Sequence, residues 1–181
     1  MTDAYDIYNA AMSLVNKYGT RDPKKICRKL GIGLYFKDLG ECLGLYICKL
    51  KRRNIIVNEN LSEAQTLMIL AHELGHDRLH RKLAKEGAFQ ELQLFDTPSS
   101  TERDANAFAA HLLIDDSELM GYITYYQYDV GHIAGAMSLN PNLVMMKLAE
   151  MNRMGHHFNV DYVNARFLKY ETPDGADEYI C

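Results

Sequence analysis

Ala71-His72-Glu73-Leu74-Gly75-His76 is the stretch whose reading organises the rest of the chain. In an α-helix a four-residue step turns a side chain by only about 40°, so His72 and His76 share one face about a turn apart, and both imidazoles can reach one metal ion. Glu73 lies about 100° round from His72, close enough to hydrogen-bond water at the ion but poorly placed to be a third ligand. That division of roles is what metal-assisted hydrolysis requires. The flanks favour a helix. No proline occurs between Ser62 and His80, Leu67, Leu70, Ala71 and Leu74 recur at three- and four-residue steps, and Ser62 with Gln65 spells a capping box. Gly75 is a weak helix former, costing about 1 kcal/mol relative to alanine, which implies that something packs closely on the backbone there.

Two histidines do not complete a catalytic site, which normally has three protein ligands and an open position. A histidine-extended motif would need Gly at position 79 and His at 82, where this chain has Leu79 and Lys82. Glu102 is the better third ligand, because a carboxylate arriving from a second helix makes a His2Glu set; Asp104, His80 and His111 are its rivals. His80 continues the row of His72 and His76 but lies two turns from His72, far along the axis for one ion. Glu102 also has a plain structural reading, as the partner of Ser99 in a capping box.

Working outward, helical periodicity predicts Ala4 to Tyr18, stopped by Gly19, and a second helix from Pro23 to Leu30, stopped by Gly31. The period then changes. Ile32 to Phe36, Gly44 to Lys49 and Asn54 to Val57, separated by Gly40 and the Lys51-Arg52-Arg53 turn, predict a small antiparallel sheet packed on the motif helix. Its edge strand offers a backbone against which extended substrate could lie. After a connector containing a short strand or irregular segment at Phe89 to Phe95, Thr97-Pro98-Ser99-Ser100 opens an alanine-rich helix to Leu113. Helices follow at Ser117 to Tyr126, Val130 to Met137 and Asn142 to Met154, and the acidic tail from Thr172 is read as loosely held apart from Tyr179 and Ile180. The fold class is thus α+β. Residues 1–115 form the domain that carries the motif and 116–181 a helical C-terminal region, with helix-turn-helix-like spacing, packed on the same core.

Composition narrows the function classes. With 181 residues, 48% of them hydrophobic, the chain fits one domain with a sizeable core. A net charge of -4, from 20 basic and 24 acidic residues, gives no general attraction to nucleic acid or anionic membrane. No apolar run is long enough for a membrane span, and Met1 to Tyr8 lacks the basic start and apolar stretch of a secretion signal, which points to the cytoplasm. Cys27, Cys42, Cys48 and Cys181 make no CxxC pair, which argues against a zinc ribbon and for reduced thiols.

The stretch from Asn54 through His80, with HELGH followed by Leu79-His80, together with Glu102-Arg103-Asp104-Ala105-Asn106-Ala107-Phe108-Ala109-Ala110, resembles the ImmA/IrrE family of bacterial metallopeptidases. The two motifs in this order are far more specific than HExxH alone, and the likeness covers about residues 20 to 115. It departs after Leu113, where a proline often closes the family's second motif and Asp115 and Asp116 stand here. The resemblance implies a zincin-like fold, His72, His76 and Glu102 as ligands of one Zn2+, and Glu73 as the catalytic carboxylate. It also implies a protein substrate, a partner helix-turn-helix repressor of a mobile or stress-response element. Tyr122, Tyr125, Tyr126, Tyr128, His132, His156 and His157 are candidate oxyanion donors, none of them assigned.

A competing class is a non-proteolytic partner- or DNA-binding regulatory protein with a metal site. Val130 to Met151 has helix-turn-helix spacing. Its second helix offers only Lys147 between Asn142 and Met151, with Glu150 nearby, so direct nucleic-acid binding is not expected. Structural zinc is a third reading, but the open coordination position of a His2Glu set argues against it.

Overall fold

The computed structural model describes residues 2–50, 52–85, 100–159, 170–171 and 177–178. The expected segment at Phe89 to Phe95, the Ser99 half of the capping box with Glu102, and the tail residues Tyr179 and Ile180 lie outside them.

Local chemistry sets the helix starts. Helix α1 (Ala4–Tyr18) begins where the Asp3 carboxylate accepts from Tyr5 N–H, and it ends at Gly19 in the left-handed region. Helix α2 (Pro23–Lys29) is capped by Asp22, with proline at its first turn. Ser62 and Gln65 close a reciprocal capping box at the head of α3 (Glu63–Leu79), with bonds of 3.0 and 3.3 Å. A short α4 (Arg81–Lys85) follows directly. Beyond the undescribed connector come α5 (Ser100–Leu113), α6 (Asp116–Thr124), α7 (Val130–Met137) and α8 (Pro141–Arg153), the last capped by Asn140.

Three strands, β1 (Gly33–Lys37), β2 (Gly44–Lys49) and β3 (Arg52–Asn58), form a sheet in the order β1-β3-β2. β2 and β3 pair antiparallel, as the turn between them predicts, but β1 lies parallel to β3, with Gly33 opposite Asn54 and Lys37 opposite Asn58. The sheet is mixed because β3 enters between its two predecessors. The chain after β1 crosses to the far edge, and Asn58 pins that crossing by donating to the carbonyls of Gly40 and Cys42 at 2.9 Å. β3 starts at Arg52, inside the expected turn, and Leu50 carries the reversal with a positive φ of 50°. Two-residue strands β4 (Tyr170–Glu171) and β5 (Asp177–Glu178) pair antiparallel.

The core is one cluster running from Ile7 and Ile26 through Ile55, Leu70, Leu74, Phe108 and Leu112 to Leu119, Leu143 and Met151. It draws on both the strand-bearing part and the helices after residue 115. α3 lies at its centre, sheet on one side and α5 on the other. Gly75 explains how closely α5 approaches. A β-carbon there would come within 3.0 Å of the Ala105 Cα and 3.1 Å of its carbonyl oxygen, so the two helix backbones touch where only glycine and alanine allow it. No helix among the described residues is long and apolar enough to cross a membrane. Cys27 and Cys48, both buried, are free, as expected of reduced thiols, whereas Cys42 departs from that expectation and is disulfide-bonded.

Candidate metal centre

Three side chains spread over thirty positions of sequence, from His72 to Glu102, converge because α3 and α5 meet at Gly75 and Ala105. The Nε2 atoms of His72 and His76 lie 3.1 Å apart. From α5 the Glu102 carboxylate presents Oε2 at 3.1 Å from His72 Nε2 and Oε1 at 3.4 Å from His76 Nε2. Both rings are buried, and one donor atom from each of the three residues falls within 4.8 Å of the other two. Glu102 keeps partial exposure, 35% of its side chain, so the cluster faces outward on that side.

Its electrostatics suit a cation. Burial pushes the His76 imidazole down to about 4, leaving it neutral with a lone pair to give. At His72 burial acts in the same direction, but the hydrogen bond and charge of Glu102, aided by Glu73 and Asn106, outweigh it and raise the imidazole above its ordinary value. Protons therefore favour His72 over His76. Burial works against the charge on Glu102, yet the two imidazoles hold its carboxyl well below the usual range. Two imidazole nitrogens and an ionised carboxylate form a donor set that fits a divalent transition ion.

Glu73 sits one residue along, fully buried, on the side of α3 that meets β2. Burial is the main reason its carboxyl is pushed up to about 7; His72 and the backbone at Tyr46 pull the other way. Gly44 makes room for it. A β-carbon on Gly44 would stand 3.1 Å from Glu73 Oε1 and collide with Ile69 Cγ2.

The rivals for the third position are placed elsewhere. His80 turns Nδ1 to within 3.3 Å of His76 Nδ1, and its Nε2 lies 3.6 Å from Asp104 Oδ2. His111 is buried at the far end of α5, its Nδ1 2.9 Å from Lys147 Nζ. The candidate oxyanion donors gather at the surface. Tyr122, Tyr126 and Tyr128 pack on one another between α6 and α7, His132 pairs with Asp129 at 2.9 Å, and His156 and His157 are exposed beyond α8.

Sequence reasoning missed three supports. Asn106 Oδ1 lies 2.7 Å from His72 Nδ1; its place four residues after Glu102, on the same face of α5, was the available signal. Gly44 gave none, since only the packing of β2 on α3 shows what a side chain would strike. Asp77, next to His76 and wholly buried, accepts from the Tyr46 hydroxyl at 2.7 Å and pairs with Arg53 at 3.1 Å and Arg81 at 2.7 Å. With every carboxylate lone pair occupied, this buried charge ties α3 to β2, β3 and α4 beside the site.

Residues 27–148, which contain every one of these site residues, match the sequence profile of the IrrE N-terminal-like domain of peptidase family M78. The chain belongs to that family. It is accordingly a metallopeptidase of the ImmA/IrrE type, as its paired motifs predict. The metallopeptidase ImmA of Bacillus subtilis (strain 168) is 30% identical over 124 residues, 67% of this chain and 70% of that protein. An uncharacterized immunity region protein 2 of Bacillus phage phi105 is 32% identical over 114 residues, 62% of this chain and 71% of the phage protein.

Proposed function

We propose that this metallopeptidase is a zinc-dependent endopeptidase, cytoplasmic, in which His72, His76 and Glu102 hold one Zn2+, Glu73 is the general base, and the substrate is a helix-turn-helix repressor of a mobile or stress-response element. The observation that carries the catalytic part is the convergence of two buried imidazoles and a carboxylate beside a second, deeper carboxylate. When bound, a divalent ion supplies Lewis acidity, bringing water near neutral ionisation and polarising the scissile carbonyl. Glu73 does the proton work. Its carboxylate takes the proton of the attacking water and hands it to the amine of the departing chain, and burial, which pushes the carboxyl up, makes that carboxylate a better base. Among the described residues β2 is an edge strand, and it lies against Glu73 at Gly44, so an extended substrate paired along β2 would carry its peptide bonds past that carboxylate.

The repressor assignment rests on the family resemblance and on the phage relative, whose name places it in an immunity region. The DNA-reading alternative has weaker support. Of the two basic residues on α8, the second helix of the helix-turn-helix-like pair, Lys147 is buried and paired with Asp116, and Arg153 is paired with Glu150 at 2.8 Å.

The test is to incubate zinc-loaded protein with the helix-turn-helix repressor encoded beside its gene and to identify products by mass spectrometry. Discrete fragments are expected from the wild type, with none after chelation and none from Glu73→Gln, which should retain its metal. Cleavage surviving in Glu73→Gln would remove the assigned base. No cleavage under any condition would contradict the repressor reading.

A further inference from the structure

Both metal-facing histidines turn Nε2 toward Glu102. A ring that gives its Nε2 lone pair to a cation must carry its proton on Nδ1, and that N–H needs an acceptor to hold the ring in place. For His72 the acceptor is Asn106 Oδ1. For His76 the atom in that place is Nδ1 of His80, at 3.3 Å, on the next turn of the same helix row. Two ring nitrogens form one hydrogen bond only if one of them is protonated. With His76 donating, His80 must accept at Nδ1, and its own proton is then on Nε2, the nitrogen that faces Asp104 Oδ2. That oxygen is held in turn by Thr2, through its backbone N–H at 3.2 Å and its hydroxyl. His76, His80 and Asp104 are all buried, so the run from Asp104 to His76 lies inside the protein, with the half-buried Thr2 at its outer end.

We propose that His80 is a positioning residue: it accepts the Nδ1 proton of His76, is itself fixed by Asp104, and so sets how tightly the site holds its ion. This rests on His72, His76 and Glu102 being the ligands. The consequence is an asymmetric site. One ligand histidine is oriented by a neutral amide; the other is oriented through a second imidazole backed by a carboxylate, which makes its metal-binding nitrogen more basic. It also gives α5 three duties at positions 102, 104 and 106: Glu102 reaches both rings, Asp104 steadies His80 and Asn106 steadies His72.

The experiment is zinc affinity by competition with a chromophoric chelator, for the wild type, His80→Phe and His80→Gln. Phenylalanine fills the space without an acceptor, whereas the glutamine amide oxygen can accept from His76. His80→Phe should weaken zinc about tenfold or more, and His80→Gln should recover most of the loss. Long-range proton–nitrogen spectra of histidine-labelled, zinc-loaded wild type should show His76 protonated at Nδ1 and His80 at Nε2, a readout that stands even if the phenylalanine variant fails to fold. Equal zinc affinity in His80→Phe and wild type, or a His80 ring protonated at Nδ1, would overturn the inference while leaving the ligand set intact. Wild type that retains no zinc would overturn both.

Discussion

Gly44 has no side chain where Glu73 needs the space, which makes it as much a part of the site as the charged groups. Gly44→Ala would drive a methyl against Ile69 and toward Glu73 Oε1, displacing the carboxylate without touching the rings of His72 and His76. Peptide cleavage should fall by about 10- to 100-fold while zinc content stays at the wild-type level, measured together by product analysis and elemental analysis. Loss of zinc in this variant would mean that β2 supports the rings as well. His72, Glu73 and His76 were legible as a group because helical spacing alone brings the two imidazoles together. Glu102 was legible as the preferred third ligand over Asp104, His80 and His111, though nothing in the spacing of a second helix says which of its polar residues will face the first. Gly44 was silent, because its role is defined by an atom on another element.

Between elements, the contact that decides the site is the crossing of α3 and α5. Gly75 was legible as a point of close approach from its cost to the helix, and the alanine run was legible as a surface that permits it; Ala105 is where they meet. Gly75→Val would force the backbones apart, an overpacking loss of about 1–3 kcal/mol, and would separate Glu102 from the two rings. Chemical unfolding should show that loss, and zinc affinity should fall with it. Full stability with wild-type zinc affinity would show that the crossing tolerates expansion. The parallel pairing of β1 was not legible. Alternation and turn residues identify strands and the tight β2–β3 reversal, but the order in which strands enter a sheet depends on where the longer connection of residues 38–43 passes, and Asn58 fixes that through bonds to backbone carbonyls.

At the scale of the molecule, a second polar cluster joins α1, α5, α6 and α8. Lys147 is wholly buried among Asp116, His111 and the Tyr8 ring, while Arg21 binds Asp115 at 2.8 Å and the carbonyls of His111 and Leu112 at 3.0 Å. Burial, then the Lys147 charge, pushes His111 down to about 3. A histidine held neutral in the fold but free to protonate when unfolded, at about 6.5, contributes stability above that pH and loses it as pH falls toward 3. Between pH of about 7.5 and 5.5 this one group should remove about 1.4 kcal/mol, so denaturant unfolding of His111→Gln should lose less stability than wild type by roughly that amount. Identical pH dependence in the two would show that His111 protonates freely in the fold. Composition announced enough apolar content for a sizeable core, but not this cluster, because Lys147 reads from sequence as an ordinary surface lysine.

All the proposed chemistry depends on one cation held by His72, His76 and Glu102. The most direct measurement is the zinc stoichiometry of protein stripped, reloaded and freed of excess metal, for wild type and Glu102→Ala side by side. One zinc per chain in the wild type and a clear loss of retained zinc in the variant are expected. No retained zinc in the wild type, or undiminished zinc in Glu102→Ala, would contradict it.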